Sequence, residues 1–313
     1  FNISCLIYDW GCAGRINHFD GIYSEIPILS LPHGTSITKE MIFAVGTTSN
    51  DIMREFIQQN IFDLHAVQTA NEMEKFLELG VDKSIISNFG SQRFSLEWIN
   101  IQASFLPNYS STFSTSNKNK CLFFLSGLNY GGNRIKLIKL INELLKLKTI
   151  NLILCVRPDV IKDLGIDMKK IINNGAIIDY KTPPPSLIDW SDVVINFGSS
   201  IVIEAILKKK KVINLMFFQE NQTSVFSGLG VAEETNSVDE VLLLIKEIDS
   251  WKLQIDENVL ISFLGIINAS VIDGVGKIEF ACRKIISLTH NRVNHKKKLK
   301  LYNNLAVKAS KLI

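Results

Sequence analysis

Residues 191–205 read Ser-Asp-Val-Val-Ile-Asn-Phe-Gly-Ser-Ser-Ile-Val-Ile-Glu-Ala, the most informative stretch of the chain. An apolar run predicts a short buried strand, the turn Gly198-Ser199-Ser200 follows it, and a second apolar run predicts a helix. The backbone N–H groups and the two hydroxyls of such a turn lie beyond the carboxyl end of the strand, where they suit a phosphate. Serine also caps helices very often, so these residues alone leave a helix cap and a phosphate site equally open.

Length and composition describe a globular protein. The chain has 313 residues, which suits two domains that each bury a core of their own. Apolar residues make up 46% of it and charged residues 21%, which excludes a disordered chain. The formal net charge of +3 is too small to indicate a nucleic-acid partner, and we expect none.

The cysteines and the apolar runs favour a cytoplasmic protein. Five cysteines are scattered along the chain without a Cys-x-x-Cys pair, and this odd number favours reduced thiols over a disulfide framework. No apolar run reaches the roughly 18 residues of a membrane-spanning helix, and the first residues lack the basic leader of a signal peptide. The sequence begins in a strand pattern without Met, so we predict that its N-terminal domain is incomplete.

Short strands alternate with helices in the first 106 residues. Strands are predicted at residues 5–8, 26–31, 66–68 and 85–89, and helices at 51–59 and 71–79. The second of these helices stops at Gly80, as helices commonly do. This alternation is typical of βαβ units, which pair their strands in a parallel sheet.

The alternation restarts after a polar segment rich in Ser, Thr and Asn. Residues 107–119 lack an apolar period and are predicted to be a linker. Beyond it, strands are predicted at 121–125, 151–156, 176–178, 193–196 and 212–216, and helices at 135–146, 168–173, 201–208 and 238–248. The predicted fold class is α/β with two Rossmann-like domains, 1–106 and 120–285, followed by a basic C-terminal helix, 286–313.

Polar residues follow two of the predicted strands in positions that suit catalysis or ligand binding. His33 is followed by Gly34, which permits a close backbone approach, and by the hydroxyl of Thr35. A histidine there suits a general base that accepts the proton of an acceptor hydroxyl, although it also suits a simple turn. Arg157 follows a strand of the second domain, where its guanidinium suits a diphosphate, although a solvated arginine is the simpler interpretation.

Four further residues give weaker indications. Gly131 and Gly132 belong to a glycine-rich loop before a predicted helix, but the loop matches neither the P-loop nor the dinucleotide-binding pattern. Its place after the first strand of the second domain suits a turn that faces phosphate. Glu204 and Glu220 each suit either a ribose diol or a solvated surface.

Two runs of basic residues have simple interpretations. Lysines 208–211 are predicted to form a solvated turn, and residues 295–300 suit either anionic lipid or a solvated helix face. The spacing of His, Cys, Asp and Glu fits no metal site, so neither a metal nor another cofactor is expected.

The ordered set of motifs resembles the B-type-fold glycosyltransferases (GT-B), and within them the CDP-glycerol glycerophosphotransferase-like branch that serves surface polysaccharides. The resemblance rests on residues 31–35, 90–94, 157–158 and 191–205, and it extends to 273–278. It covers most of residues 1–285. It implies two Rossmann-like domains that face each other across a cleft.

The resemblance implies roles for individual residues. His33 would be the catalytic base, and Arg157 together with Gly198, Ser199 and Ser200 would hold the donor's diphosphate. Further contacts are predicted on both sides of the cleft: Gly34, Thr35 and Arg93 toward the acceptor, and Gly131, Gly132, Glu204 and Glu220 toward the donor.

The implied activity is metal-independent transfer of a glycosyl or glycerophosphate group from a nucleotide-diphosphate donor, a substrate and not a cofactor, to a glycan or lipid-linked acceptor. The reaction would take place in the cytoplasm, at the inner face of the plasma membrane, with weak membrane contact through the basic helix. Pro158-Asp159-Val160 stands where the family has Pro-His-Pro, so the transferred group stays open. A sugar-nucleotide 2-epimerase and a non-catalytic nucleotide-binding relative are the alternatives.

Overall fold

The computed structural model describes residues 6–9, 27–31, 59–106, 118–126, 133–157, 160–161, 167–218, 224–252, 255–267, 279–280, 282–284 and 286–287. These residues form an α/β fold with two parallel sheets of four and six strands. The chain divides into two compact units, the first made of Phe1–Thr35, Gly46–Ser95 and Ile267–Ile313 and the second of Ser36–Val45 and Leu96–Ile266. The predicted boundaries assigned residues 96–106 to the first domain and 267–285 to the second. In the structure, residues 96–106 belong to the second unit and residues 267–285 to the first.

The sheet of the first unit has its four strands in chain order. Strands β1 (Leu6–Asp9), β2 (Ile28–Leu31), β3 (Leu64–Val67) and β4 (Ile86–Asn88) lie side by side, and each neighbouring pair is parallel. All four lie within two residues of the predicted strands, because each is a short apolar run bounded by polar or turn residues. The predicted helix at 51–59 lies outside the described residues except for Gln59.

Helix α1 (Ala70–Glu78) follows β3 and has the expected end signals. The Thr69 hydroxyl accepts a hydrogen bond from the Glu72 backbone N–H at 3.0 Å, and the Glu72 carboxylate accepts one from the Thr69 N–H at 3.3 Å. This capping box fixes the first turn of the helix. Gly80 follows the helix at φ +93°, a left-handed conformation that favours glycine.

The second unit contains six strands and seven α-helices in the part of the chain that is described. The strands are β5 (Asn119–Leu125), β6 (Ile150–Val156), β7 (Ile177–Asp179), β8 (Val193–Asn196), β9 (Lys211–Leu215) and β10 (Glu233–Thr235). The helices are α2 (Leu96–Phe105), α3 (Arg134–Lys146), α4 (Met168–Asn173), α5 (Pro184–Trp190), α6 (Val202–Leu207), α7 (Val238–Lys246) and α8 (Glu257–Ile266).

The strand order of this sheet is β10-β9-β8-β5-β6-β7, and all pairs are parallel. The chain runs outward from β5 through β6 to β7 and then returns to place β8 on the other side of β5. Strands β6 and β7 are added on one side of β5, and strands β8 to β10 on the other. Because the order reverses at this point, a crevice opens between the carboxyl ends of β5 and β8. Open α/β sheets bind their ligands at such a topological switch point.

One face of this sheet packs under α3 and α7 around a shared apolar core. The core includes Phe123 of β5, Leu154 of β6 and Ile195 of β8, together with Leu140 of α3 and Val241 of α7, all buried. The core residues of each strand are alternate residues, such as 121, 123 and 125 of β5, because alternate side chains of a strand point to the same face of the sheet.

The core extends past the ends of two strands. Phe197 and Phe218, which follow β8 and β9, belong to it and have ring centroids 5.1 Å apart. Their burial anchors the backbone just after β8 and just after β9.

Three helices and one strand have no counterpart among the predicted elements: α2, α5, α8 and β10. Helix α5 begins at Pro184 after Pro183, and a proline cluster normally indicates a break in structure. Proline is nevertheless well tolerated in the first turn, where its missing N–H has no helical partner to lose. None of the described helices is long and apolar enough to cross a membrane.

The prediction of a solvated turn at 208–211 is wrong for Lys208 and Lys210, which are half-buried. The Lys210 ammonium donates to the carbonyls of Asp189 and Ser191 at 2.9 and 2.8 Å, at the carboxyl end of α5. Lys208 forms an ion pair with the Asp189 carboxylate at 2.8 Å. Cations stabilise helix carboxyl ends because unpaired carbonyls and the helix dipole make them negative.

His65 of β3 is a buried imidazole in an apolar environment. Its ring lies 4.7 Å from the Phe76 ring and 5.8 Å from the Phe62 ring, centroid to centroid, and it is 4% exposed. Its Nδ1 has no hydrogen-bond partner among the described residues. Burial lowers the pKa of His65 from 6.5 to about 4, so the imidazole is neutral in the folded protein.

We therefore expect His65 to make the protein acid-labile. Between pH 6.5 and 4 the unfolded chain binds a proton at His65 that the folded chain does not bind. The free energy of unfolding therefore decreases as the pH is lowered from 6.5 to 4. The full effect is about 3 kcal/mol. Urea unfolding at pH 7 and pH 4.5 measures it: His65→Gln should lose about 2 kcal/mol less stability between the two pH values than the wild type. Equal losses in the two proteins would contradict the assignment.

Candidate functional site

The switch-point turn, defined as Gly198, Ser199 and Ser200, follows β8 directly. Gly198 has φ +66°, which requires a residue without a Cβ or a strained backbone. All three residues are half-buried, so the turn reaches the surface while Phe197 before it lies in the core. The sequence predicted this placement from the apolar run and the Gly-Ser-Ser motif.

The serines of this turn do not act as conventional helix caps. The first bonds of α6 are backbone bonds, from the Val202 N–H to the Ser199 carbonyl at 3.3 Å and from the Ile203 N–H to the Ser200 carbonyl at 3.1 Å. The Ser199 hydroxyl accepts from the Ile201 N–H at 3.5 Å, at the outer limit of a hydrogen bond. Within the described residues the Ser200 hydroxyl makes no hydrogen bond, and the Ser199 hydroxyl can still donate its own proton.

A buried amide pair lies at the base of the turn. Asn196, the last residue of β8, is fully buried, and its Nδ2 donates to the Oδ1 of Asn214 in β9 at 3.3 Å. The Oδ1 of Asn196 has no hydrogen-bond partner among the described residues. Exchanging the O and N of the Asn196 amide would leave a buried NH₂ group unpaired instead. A buried polar atom left unpaired costs about 1–3 kcal/mol and calls for an explanation, which a bound ligand or an internal water would supply.

Lys136 brings a positive charge to the same edge of the sheet. It lies in the first turn of α3, where its backbone N–H donates to the side chain of the N-cap Asn133 at 3.1 Å. Its Nζ donates to the carbonyl of Phe217, just after β9, at 3.1 Å. Neither Lys136 nor Asn196 was singled out from the sequence, because the position of each depends on the order of strands in the sheet.

Arg157 follows the last residue of β6 and is exposed. Since β6 pairs with β5, Arg157 lies at the carboxyl edge of the sheet, as predicted. One strand, β5, lies between β6 and β8 in the sheet. Contact between Arg157 and a diphosphate held at the switch-point turn stays a prediction.

Six predicted site residues lie outside the described residues: His33, Gly34, Thr35, Gly131, Gly132 and Glu220. The strands before two of these loops are described, and β2 ends at Leu31 and β5 at Leu125. The loops therefore start at carboxyl ends of parallel strands, one in each unit. The roles of the six residues stay predictions.

Arg93 follows β4 and lies in a single 3-10 turn (Gln92–Phe94). It is exposed, and its guanidinium carbon lies 5.3 Å from the centre of the Phe94 ring, a cation–π distance. This contact orients the side chain without removing its charge from solvent. A contact with the acceptor stays a prediction.

Glu204 does not lie on a solvated face, which was one of its two predicted settings. It is 2% exposed, and its carboxylate lies 3.7 Å from the Lys208 ammonium one turn further along α6. The ion pair accounts for the burial of this carboxylate. The predicted contact with the donor is untested.

Two thiols of the second unit, the buried Cys121 and the half-buried Cys155, are protonated. Burial raises the pKa of Cys155 in β6 to about 12, and the nearby Asp179 carboxylate raises it further. Burial also raises the pKa of Cys121. Neither thiol suits a nucleophile. No group of His, Cys, Asp and Glu side chains in the described ranges is arranged to hold a metal ion.

Comparison with solved structures places this fold among the B-type glycosyltransferase structures, which confirms the predicted resemblance at the level of the fold. The wall teichoic acid polymerase TagF aligns with 86% of this chain and 70% of its own at 16% identity, with a TM-score of 0.53. HepE from Anabaena, solved in complex with UDP-glucose, aligns with 84% of this chain and 72% of its own at 14% identity, with a TM-score of 0.51. The predicted arrangement of two domains across a cleft is untested. No protein-family profile and no curated protein sequence matches the chain.

Proposed function

We propose that this protein transfers a glycosyl or glycerophosphate group from a nucleotide-diphosphate donor to a hydroxyl acceptor. The observation that carries the proposal is the switch-point turn. Two hydroxyls that cap no helix lie there at the carboxyl edge of a doubly wound sheet, above the buried Asn196 amide with its unpaired atom. Such a turn suits a diphosphate, because backbone N–H groups and hydroxyls together offer several donors to its oxygens.

In the proposed mechanism the residues of the two units have different tasks. Ser199, Ser200 and Arg157 bind the diphosphate and stabilise negative charge as it develops on the leaving group. His33 accepts the proton of the acceptor hydroxyl, whose oxygen then attacks the donor. For a sugar donor, the bond from the anomeric carbon to the diphosphate breaks and a nucleoside diphosphate leaves. For a glycerophosphate donor, the bridge between the two phosphates breaks and a nucleoside monophosphate leaves.

The ligands of the similar structures support a nucleotide-activated donor. TagF is a wall teichoic acid polymerase that has been soaked with CDPG, and HepE holds UDP-glucose. By analogy we propose a glycan or lipid-linked acceptor in surface-polysaccharide synthesis and a location at the cytoplasmic face of the membrane. The Arg157 guanidinium would supply the positive charge that a metal ion supplies elsewhere, so we propose a metal-independent reaction.

Thermal unfolding in the presence of nucleotides tests the proposal. Donor-type ligands at 100 times their dissociation constant stabilise the folded state by about 2.7 kcal/mol. We therefore expect at least one of CDP, UDP and GDP to raise the melting temperature by several degrees, and the corresponding nucleoside to raise it less. If none of the three nucleotides shifts the melting temperature at millimolar concentration, the proposal is wrong.

Replacing both serines of the turn should weaken diphosphate binding selectively. The double variant Ser199→Ala/Ser200→Ala removes two donors to anionic oxygens, so we expect about tenfold or greater loss of affinity for the diphosphate that binds the wild type. Affinity for the matching nucleoside should change less than twofold. Calorimetric titration measures both.

Ser250→Ala is the matched control for the serine variants. Its hydroxyl is exposed and bonds only locally, to the Glu247 carbonyl at 2.8 Å. It lies beyond α7, whose carboxyl end meets the opposite edge of the sheet. Diphosphate binding that survives the double serine change would show that the turn is not the phosphate site.

A further inference from the structure

A row of polar side chains crosses three strands of the first sheet. Tyr8 of β1, Ser30 of β2 and His65 of β3 are neighbours in register, with Tyr8 opposite Ser30 and Ser30 opposite His65. Residues paired in this way in parallel strands have their side chains on the same face of the sheet. Leu29 and Leu64, which alternate with Ser30 and His65 along the two strands, belong to an apolar cluster on the other face. The polar row therefore lies on the face opposite that cluster.

Two neighbouring members of this row have buried polar atoms without a protein partner. Ser30 is 1% exposed and His65 is 4% exposed. Among the described residues, neither the Ser30 Oγ nor the His65 Nδ1 has a hydrogen-bond partner. Buried polar atoms are almost always hydrogen-bonded in folded proteins, because an unpaired one loses its bonds with water and gains none in return. Two such atoms on adjacent strands, and on the same face, suit one partner that both of them share.

The spacing of the two strands suits a single water molecule as this partner. Adjacent strands lie about 5 Å apart, and two hydrogen bonds of about 2.8 Å to one water oxygen span about the same distance. The lowered pKa of His65 keeps its imidazole neutral, with one nitrogen that donates and one that accepts. Water donates and accepts, so it can bond to a serine hydroxyl and to either tautomer of the ring. The Phe62 and Phe76 rings lie 5.8 and 4.7 Å from the imidazole, centroid to centroid, which favours a ligand as small as water.

We propose that Ser30 and His65 bind a buried water molecule between β2 and β3. The water oxygen lies within hydrogen-bond distance of the Ser30 Oγ and of the His65 Nδ1. It gives both atoms the partner that the protein does not supply, and it joins the two strands through their side chains in addition to their backbone bonds. The water site belongs to the folding of the first unit and is independent of the proposed function.

Ser30→Ala distinguishes a bridged pair from two unpaired atoms by the sign of its effect on stability. When a water bridges the pair, the substitution removes a hydrogen bond, so we expect the equilibrium constant for unfolding to rise about fivefold. Without a bound water, the substitution removes an unpaired buried hydroxyl, and the same constant falls. Urea unfolding of the full chain at pH 7.5 measures the constant. Ser84→Ala removes an exposed hydroxyl of the same unit and is the matched control, which should stay within about twofold of the wild type.

A crystal structure of the wild-type chain and a second variant complete the test. We expect an ordered water about 2.6–3.2 Å from both the Ser30 Oγ and the His65 Nδ1. His65→Phe keeps a ring at this position and removes one of the two water partners, so Ser30→Ala should destabilise this variant less than it destabilises the wild type. A direct hydrogen bond between Ser30 and His65 in the crystal, or no water between them, would overturn the inference. A gain of stability in Ser30→Ala, or an equal effect in both backgrounds, would overturn it as well.

Discussion

Replacing His33 with alanine is expected to lower turnover about 100- to 10,000-fold, the contribution that a general base typically makes. The acceptor hydroxyl is a weak nucleophile until its proton is removed, and His33 is the residue to which we assign this task. The proposed diphosphate site lies in the second unit, so the affinity for the donor should stay within a few-fold of the wild type. Release of nucleotide from the activated donor measures turnover, and calorimetry with the same nucleotide measures affinity.

Two controls sharpen the His33 experiment. His290→Ala removes a histidine to which no role is assigned, and it should leave turnover unchanged. The pH dependence of the rate distinguishes a base from a binding residue, because the loss of rate at acidic pH should disappear in His33→Ala if His33 is the base. Unchanged turnover in His33→Ala would exclude the base role, while nucleotide binding would still support the second-unit site.

The sequence was sufficient to predict the strands that form the site. Strands β5, β6 and β8 are continuous apolar runs because both faces of a parallel sheet are buried, and such runs are recognised without knowledge of their partners. The Gly198-Ser199-Ser200 turn was predicted from its composition, since a glycine and two serines directly after a buried strand favour a turn. Local patterns thus gave the position of the turn along the chain.

What surrounds the turn could not be predicted from local patterns. The hydrogen bond between Asn196 and Asn214 joins residues in adjacent strands, and the Lys136 contact joins α3 to a turn 81 residues further along the chain. Both depend on β8 lying between β5 and β9, an order that alternating strands and helices do not specify. Helix α5 was missed for a different reason, because its prolines resemble a loop until the rest of the helix is seen.

The two edges of the second sheet use polar groups differently. At the carboxyl edge, hydroxyls of the switch-point turn are not committed to the helix that follows them. At the amino edge, lysines are committed to carbonyls and carboxylates of α5 and α6. Stability should therefore be more sensitive to substitution at the amino edge, and ligand binding more sensitive at the carboxyl edge.

The ion pair between Lys208 and Glu204 gives the largest expected stability effect. The Glu204 side chain is 3% exposed and that of Lys208 is 10% exposed, so neither group is well hydrated. Lys208→Met would leave a buried carboxylate without its cation, a change that typically costs about 3–5 kcal/mol. Loss of the contact with Asp189 adds at most about 1 kcal/mol, because that carboxylate is 51% exposed. Urea unfolding at pH 7 measures the loss, and the buried Trp190 on α5 provides a fluorescence signal near the change.

A double variant shows whether the loss of stability in Lys208→Met comes from the charge of the Glu204 carboxylate. Lys208→Met/Glu204→Gln removes both charges and should recover most of the stability, because a neutral amide is far cheaper to bury than a lone carboxylate. Lys209→Met is the matched control, since Lys209 is the exposed neighbour and its replacement should change stability by less than about 0.5 kcal/mol. If the single and double variants were equally destabilised, the Lys208 side chain would act through packing, and the ion pair would contribute little to the stability of this unit.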